Sequence, residues 1–186
     1  YKSGCAGWKY RNHDRMNNPQ IQSILKMLGN RVPASSRLIL LGGSALILLG
    51  SPRPTIDIDF VGDDASPSEF DKAIMQAAKE LKIFAEPVPI ERFIPLPDGS
   101  DGRKIRIGKY GNMEVYVADP YSIALSKLDR GFDTDMDDIL FLIQNSHVEL
   151  KELERMAQVV LARAREFDIN SADFLAHLEI VRERLK

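Results

Sequence analysis

Three features of the chain predict an α+β fold: a small mixed sheet with flanking helices, followed by a helical C-terminal part. Short apolar or alternating runs gather in the middle, at residues 37–41, 56–61, 104–107 and 113–117. Cap and proline signals for helices fall between those runs. After Gly131 the pattern is helical almost throughout, over roughly 135–145, 149–167 and 171–185.

Taken in order, residues 1–18 are polar, with Trp8 and Tyr10 among their large aromatics, and read as an irregular N-terminal arm. Pro19 opens a helix to about Leu28, with Ile21, Ile24, Leu25 and Leu28 on one face, and Gly29 and Asn30 end it. Arg37 to Leu41 is a buried strand, Gly42 and Gly43 make the turn, and Ser44 starts a helix that ends near Gly50. Residues 51–55 carry two prolines and form a loop. Ile56 to Val61 alternates apolar and acidic residues, which gives a strand with one apolar and one acidic face. Ser66, Pro67 and Glu69 signal a helix reaching about Lys82. Residues 83–101 are proline-rich and read as an extended segment plus a turn. The strands at 104–107 and 113–117 form a hairpin through Gly108 and Gly111, and Asp119 caps a helix with Pro120 at its first position. The expected organisation is an arm at 1–18, a core at 19–130 and a helical part at 131–186 packed on that core.

The chain has 186 residues, 44% of them hydrophobic, enough to bury a core without disulfides or a structural metal. Cys5 is its only cysteine, so an intrachain disulfide is excluded, and a reducing cytoplasm is the expected compartment. The chain opens on Tyr1 rather than Met, so the expectation is a trimmed or partial chain, with a cleaved leader left open. The apolar run from Leu38 to Gly50 is shorter than the ~20 residues a bilayer requires, so no membrane association is expected. A net charge of −2 gives no global attraction to nucleic acid. Arg103, Lys104, Arg106 and Lys109 cluster locally, either as a solvated strand edge or as a landing strip for a polyanion.

The chemistry concentrates in Gly42-Gly43-Ser44 and Asp57-Ile58-Asp59. Residues i and i+2 of a strand share a side, so Asp57 and Asp59 project together, and two such carboxylates repel unless a cation or proton lies between them. Hard oxygen ligands of this kind suit Mg²⁺ (or Mn²⁺), which completes its shell with water and substrate phosphates. Gly42 and Gly43 allow close backbone approach, and the helix start after them, with the Ser44 hydroxyl, offers donors to phosphate. Together these are the minimum for phosphoryl or nucleotidyl transfer from an NTP. The segment is not a P-loop, because the Lys-Ser/Thr ending is absent. The three histidines, His13, His147 and His177, show no ligand spacing.

The stretches Leu40-Leu41-Gly42-Gly43-Ser44-Ala45-Leu46 and Arg53-Pro54-Thr55-Ile56-Asp57-Ile58-Asp59-Phe60 resemble the polymerase-β-type nucleotidyltransferase superfamily. Within it they resemble most the branch of AbiEii-type toxins and related uncharacterised bacterial nucleotidyltransferases. That branch also has a later helical Lys and an Asp-x-x-Asp-aliphatic helix, matched here by Lys127 with Arg130 and by Asp135 with Asp138. The resemblance spans roughly residues 38–143. It implies a nucleotidyltransferase-like core in which Asp57 and Asp59 hold the metal and a third carboxylate stands on a later strand. Glu114 is the candidate for that third position, or else an ordinary strand glutamate. Arg53 either pairs with a phosphate or clamps one of the aspartates. Lys127 either neutralises phosphate or is solvated. Arg130, Asp135 and Asp138 supply either supporting salt bridges or direct catalysis. The expected function is metal-dependent transfer of a nucleoside monophosphate to an RNA or protein acceptor, as the toxin of a pair with a cognate antitoxin. The alternative is a non-catalytic member of the fold that binds a nucleotide or a partner.

Overall fold

The computed structural model describes residues 15–186. Trp8, Tyr10, Cys5 and His13 lie outside the described residues, as does most of the expected arm. Met16 is buried and forms an antiparallel bridge with Thr55, and Asn17 caps α1 (Asn18–Gly29) in a reciprocal box with Gln20.

Five strands form one mixed sheet: β1 (Ser36–Leu40), β2 (Asp57–Val61), β3 (Phe84–Val88), β4 (Ile105–Tyr110) and β5 (Met113–Val117), in the order β3-β2-β1-β5-β4. β1 runs parallel to β5 and antiparallel to β2, while β2 and β3 run parallel. The β4–β5 hairpin carries an irregularity between Arg106 and Gly108. Alternation sends Leu38, Leu40, Ile58, Phe60, Val115 and Val117 to one fully buried face, where helices α1, α2 (Gly42–Leu48) and α3 (Glu69–Glu80) belong to the same apolar cluster. The opposite face carries Asp57 and Asp59.

Two expectations are corrected. The cap of α3 is Ser68, not Ser66: Ser68 and Asp71 exchange bonds of 3.0 and 2.8 Å between side chains and backbone N–H groups. The segment at 83–101 contains a true strand, β3, at the sheet edge, where its Pro87 is tolerated. The rest of it holds two short 3₁₀ turns, at Ile90–Arg92 and Ser100–Arg103.

Four helices complete the chain: α4 (Pro120–Arg130), α5 (Asp133–Gln144), α6 (Leu150–Ala162) and α7 (Ser171–Arg184). Their buried residues, among them Leu128, Ile139, Leu153 and Phe174, join one continuous apolar cluster with α1 and the sheet. Among the described residues no helix is long and apolar enough to cross a membrane.

Candidate active site

The β2 strand holds its acids beside the end of β1: the Leu41 N–H donates to the Asp59 carbonyl at 2.8 Å. Next to them the chain turns through Gly42, whose φ of +58° favours glycine. A Cβ there would sit 2.4 Å from Asp59 Oδ2, and one on Gly43 would sit 2.6 Å from Thr55 Oγ1. The glycines are therefore required for the turn to lie against the acids. Thr55, itself buried, donates its hydroxyl to Asp57 Oδ1 at 3.0 Å and fixes that carboxylate's orientation.

A cleft of about 490 Å³ opens beside the pair, and a second of about 400 Å³ adjoins it. Gly42, Asp57, Asp59, Lys127 and Arg130 line both, so the two are halves of one site. Lys127 comes from α4 and is almost fully buried, donating to Asp135 at 2.9 Å and to Asp138 at 2.7 Å. Arg130 grips the Asp135 carboxylate with two nitrogens, at 2.8 and 2.5 Å. Arg53 grips Asp138 in the same forked way, at 3.1 and 2.5 Å. Arg53 is thus a clamp, but on Asp138 rather than on Asp57 or Asp59. Burial pushes the Asp135 carboxyl up, yet the Arg130 hydrogen bonds and the Lys127 and Arg130 charges together hold it below its ordinary value.

Two expected residues stand elsewhere. Ser44 is buried, lines neither cleft, and spends its hydroxyl on the Leu41 carbonyl at 3.1 Å. Glu114 pairs with Arg37 in the β1–β5 register, four residues along β1 from the level of Asp59, or ~13 Å at 3.3 Å per residue. Its carboxylate is taken by Arg106 at 2.8 Å. At the level of the aspartates β5 offers Ala118, so no acid can come from that strand.

A carboxylate that shares the pair's face and cleft is Glu86. It stands opposite Asp59 in the β2–β3 register, which puts it on the same face, and it lines the larger cleft. Its signal in the sequence is an acid between Ala85 and Pro87 in an otherwise apolar run, which the flanking prolines obscured. The Asp59 carboxyl is pushed up to about 7, chiefly by burial, then by the charges of Asp57 and Glu86, against the pull of Arg130 and Lys127. Among the described residues no three His, Cys, Asp or Glu side chains converge into a complete metal cage. Asp57 and Asp59 present their carboxylates to the cleft as two hard oxygen groups on one strand face.

The basic cluster near β4 is largely spent on internal pairs. Arg103 holds buried Asp119, Lys104 pairs with Asp101 and Arg106 with Glu114. That is the pattern of a charged strand edge.

The site is thus built from an acid-bearing strand of a mixed sheet, a glycine turn beside it and a buried lysine lining the same cleft. Residues 20–185 match the family described as nucleotidyltransferase of unknown function (DUF6036), and the chain belongs to it. No curated protein matches the chain. No solved structure matches it either.

Proposed function

We propose that the protein transfers a nucleoside monophosphate from an NTP to a hydroxyl acceptor, using a divalent cation. The observation that carries this is the convergence of Asp57, Asp59, Gly42 and Lys127 on one cleft. Asp57 and Asp59 would hold Mg²⁺ or Mn²⁺. The pair fits such an ion because both are hard carboxylates on one strand face beside an open cleft, in line with a divalent cation that shares oxygen ligands with phosphates. Once bound, the cation supplies charge neutralisation at the phosphates.

The chain's own residues divide the remaining work. The Gly42-Gly43 turn brings backbone close enough to bind phosphate. Lys127 and Arg130, fixed by Asp135 and Asp138, present positive charge to the transferring group without reorganising. Glu86 accepts the acceptor's proton. The acceptor oxygen forms a bond to the α-phosphorus, the bond from that phosphorus to its bridging oxygen breaks, and pyrophosphate leaves. A role as the toxin of a toxin–antitoxin pair, of the AbiEii kind, is supported by the motif resemblance alone.

Titration calorimetry with each NTP, with and without Mg²⁺, tests the reading. Binding is expected to strengthen at least tenfold with Mg²⁺, and Asp57→Asn or Asp59→Asn is expected to abolish that gain. Mg²⁺-independent binding unaffected by either change would identify a non-catalytic nucleotide- or partner-binding module instead.

A further inference from the structure

The two halves of the cleft differ in charge and polarity in a way that assigns their contents. Among the described residues, those lining only the smaller half include Arg15, Arg53, Thr55 and Gly43, two cations and no acid. Those lining only the larger half include Glu86 and Asp129, with Val88, Ile90, Phe93 and Phe132, two acids and no cation. The triphosphate belongs with Arg15 and the glycine turn, beside the Arg53 guanidinium that Asp138 holds in place. Burial raises the Asp129 carboxyl above its usual range, and charged or neutral it offers a phosphate no cation.

In-line displacement fixes the next step. The acceptor oxygen enters opposite the departing pyrophosphate. With pyrophosphate leaving through the arginine half, the acceptor enters through the half that holds Glu86. The terminal nucleotide of an RNA would carry a phosphate into the half where Glu86, Asp129 and apolar side chains are added to the shared Lys127 and Arg130, so desolvation and the added carboxylates oppose it. The cluster on β4 lies at the opposite edge of the sheet from β3, and three of its four members are ion-paired.

Phe132 adds a second observation. It holds the N-cap position of α5, where Ser, Thr, Asp or Asn is favoured, and the residue is 60% exposed, with the Arg130 guanidinium 5.3 Å from its ring centre. Both choices cost local stability, and both occur at the rim of the larger half.

Building on the proposed transfer reaction, we propose that the larger half is the acceptor site, and that it takes a neutral hydroxyl carried on an apolar ring of a protein substrate rather than the end of an RNA. Among protein side chains tyrosine matches, since it joins one hydroxyl to a large apolar ring. Its phenol proton passes to Glu86 as its oxygen bonds to the α-phosphorus and pyrophosphate departs.

The test uses the full chain carrying Phe132→Trp as a reporter, with Trp8, the only tryptophan, replaced by Phe. Tryptophan emission is followed with Mg²⁺ and a non-hydrolysable NTP analogue present, while N-acetyl-tyrosinamide or an RNA trinucleotide with a free 3′-hydroxyl is added. The amide is expected to saturate the signal in roughly the millimolar range, and the RNA to bind at least about tenfold more weakly. RNA binding as tight as the amide would overturn the proposal in favour of a nucleic-acid acceptor. An analogue that saturates the signal alone would mark this half as the nucleobase site and overturn it equally. Silence from both probes would show that the chamber holds no acceptor. Mg²⁺-dependent NTP binding by the unmodified chain, measured separately, reports on the transfer reading itself.

Discussion

At Asp59 burial beside two other carboxylates has a measurable consequence. The folded chain holds the Asp59 proton to about pH 7, whereas a free aspartate gives it up near 3.8. Between those limits the folded state binds more protons than the unfolded one, so this residue's contribution to stability falls as pH rises. Asp59→Asn abolishes that penalty. In metal-free buffer the variant is expected to match the wild type near pH 4 and to be more stable by about 2 kcal/mol near pH 8, below the full linkage value because the side chain keeps some solvent contact. Urea unfolding at the two pH values measures it, and a variant less stable than wild type at pH 8 would show that Asp59 is paired rather than repelled. The same linkage predicts that cation binding strengthens as pH rises through 7, because the ion must displace that proton.

On the scale of single elements, the glycine turn makes the sharpest demand. A side chain at Gly43 meets Thr55, whose hydroxyl orients Asp57, so Gly43→Val disturbs the turn and an acid together. The expected result is a loss of about 1–3 kcal/mol from overpacking, with NTP affinity falling by more than the fold is weakened. Calorimetry on the folded variant separates the two, and unchanged affinity would leave the glycine as a turn former only. This element was legible in the sequence because two glycines after an apolar run have few other uses, and β2 was legible because Ile and Asp alternate without interruption. β3 was not. Pro87 and Pro89 argue against a strand in isolation, and only its place at the sheet edge, which is a tertiary fact, removes the objection. Glu86 was hidden with it, and Glu114 took its place because strand alternation reports a residue's face but not its height along the sheet. The cap of α3 failed for a related reason. Ser66 and Ser68 each have an acid three residues on, and the choice fell to Asp71, whose carboxylate tucks beneath Gly62.

Across the whole molecule, the site depends on a bridge between its sheet and its helices. Arg53 precedes β2, Lys127 lies on α4 and Asp138 on α5, and one carboxylate binds both cations. The spacing Asp135–Asp138 announced one helical face, but the partner across 85 residues was beyond any local pattern. The bridge sets unequal expectations for its members. Lys127→Met leaves Asp138 with Arg53 and Asp135 with Arg130, so each buried acid keeps one partner and the fold is expected to lose only about 1–3 kcal/mol. Asp138→Ala leaves Lys127 buried against Asp135 alone and releases Arg53, with an expected loss of about 3–5 kcal/mol. Both should weaken triphosphate binding while leaving the nucleoside nearly unaffected, because the charge resides on the phosphates. In the double variant the losses should fall short of additive, since the second change removes a partner already gone. Raised salt should hardly alter these differences, because Lys127 and Asp138 are shielded from solvent. Strict additivity in urea unfolding would mean that Lys127 and Asp138 act separately, and the bridge would then not be what ties the helices to the sheet.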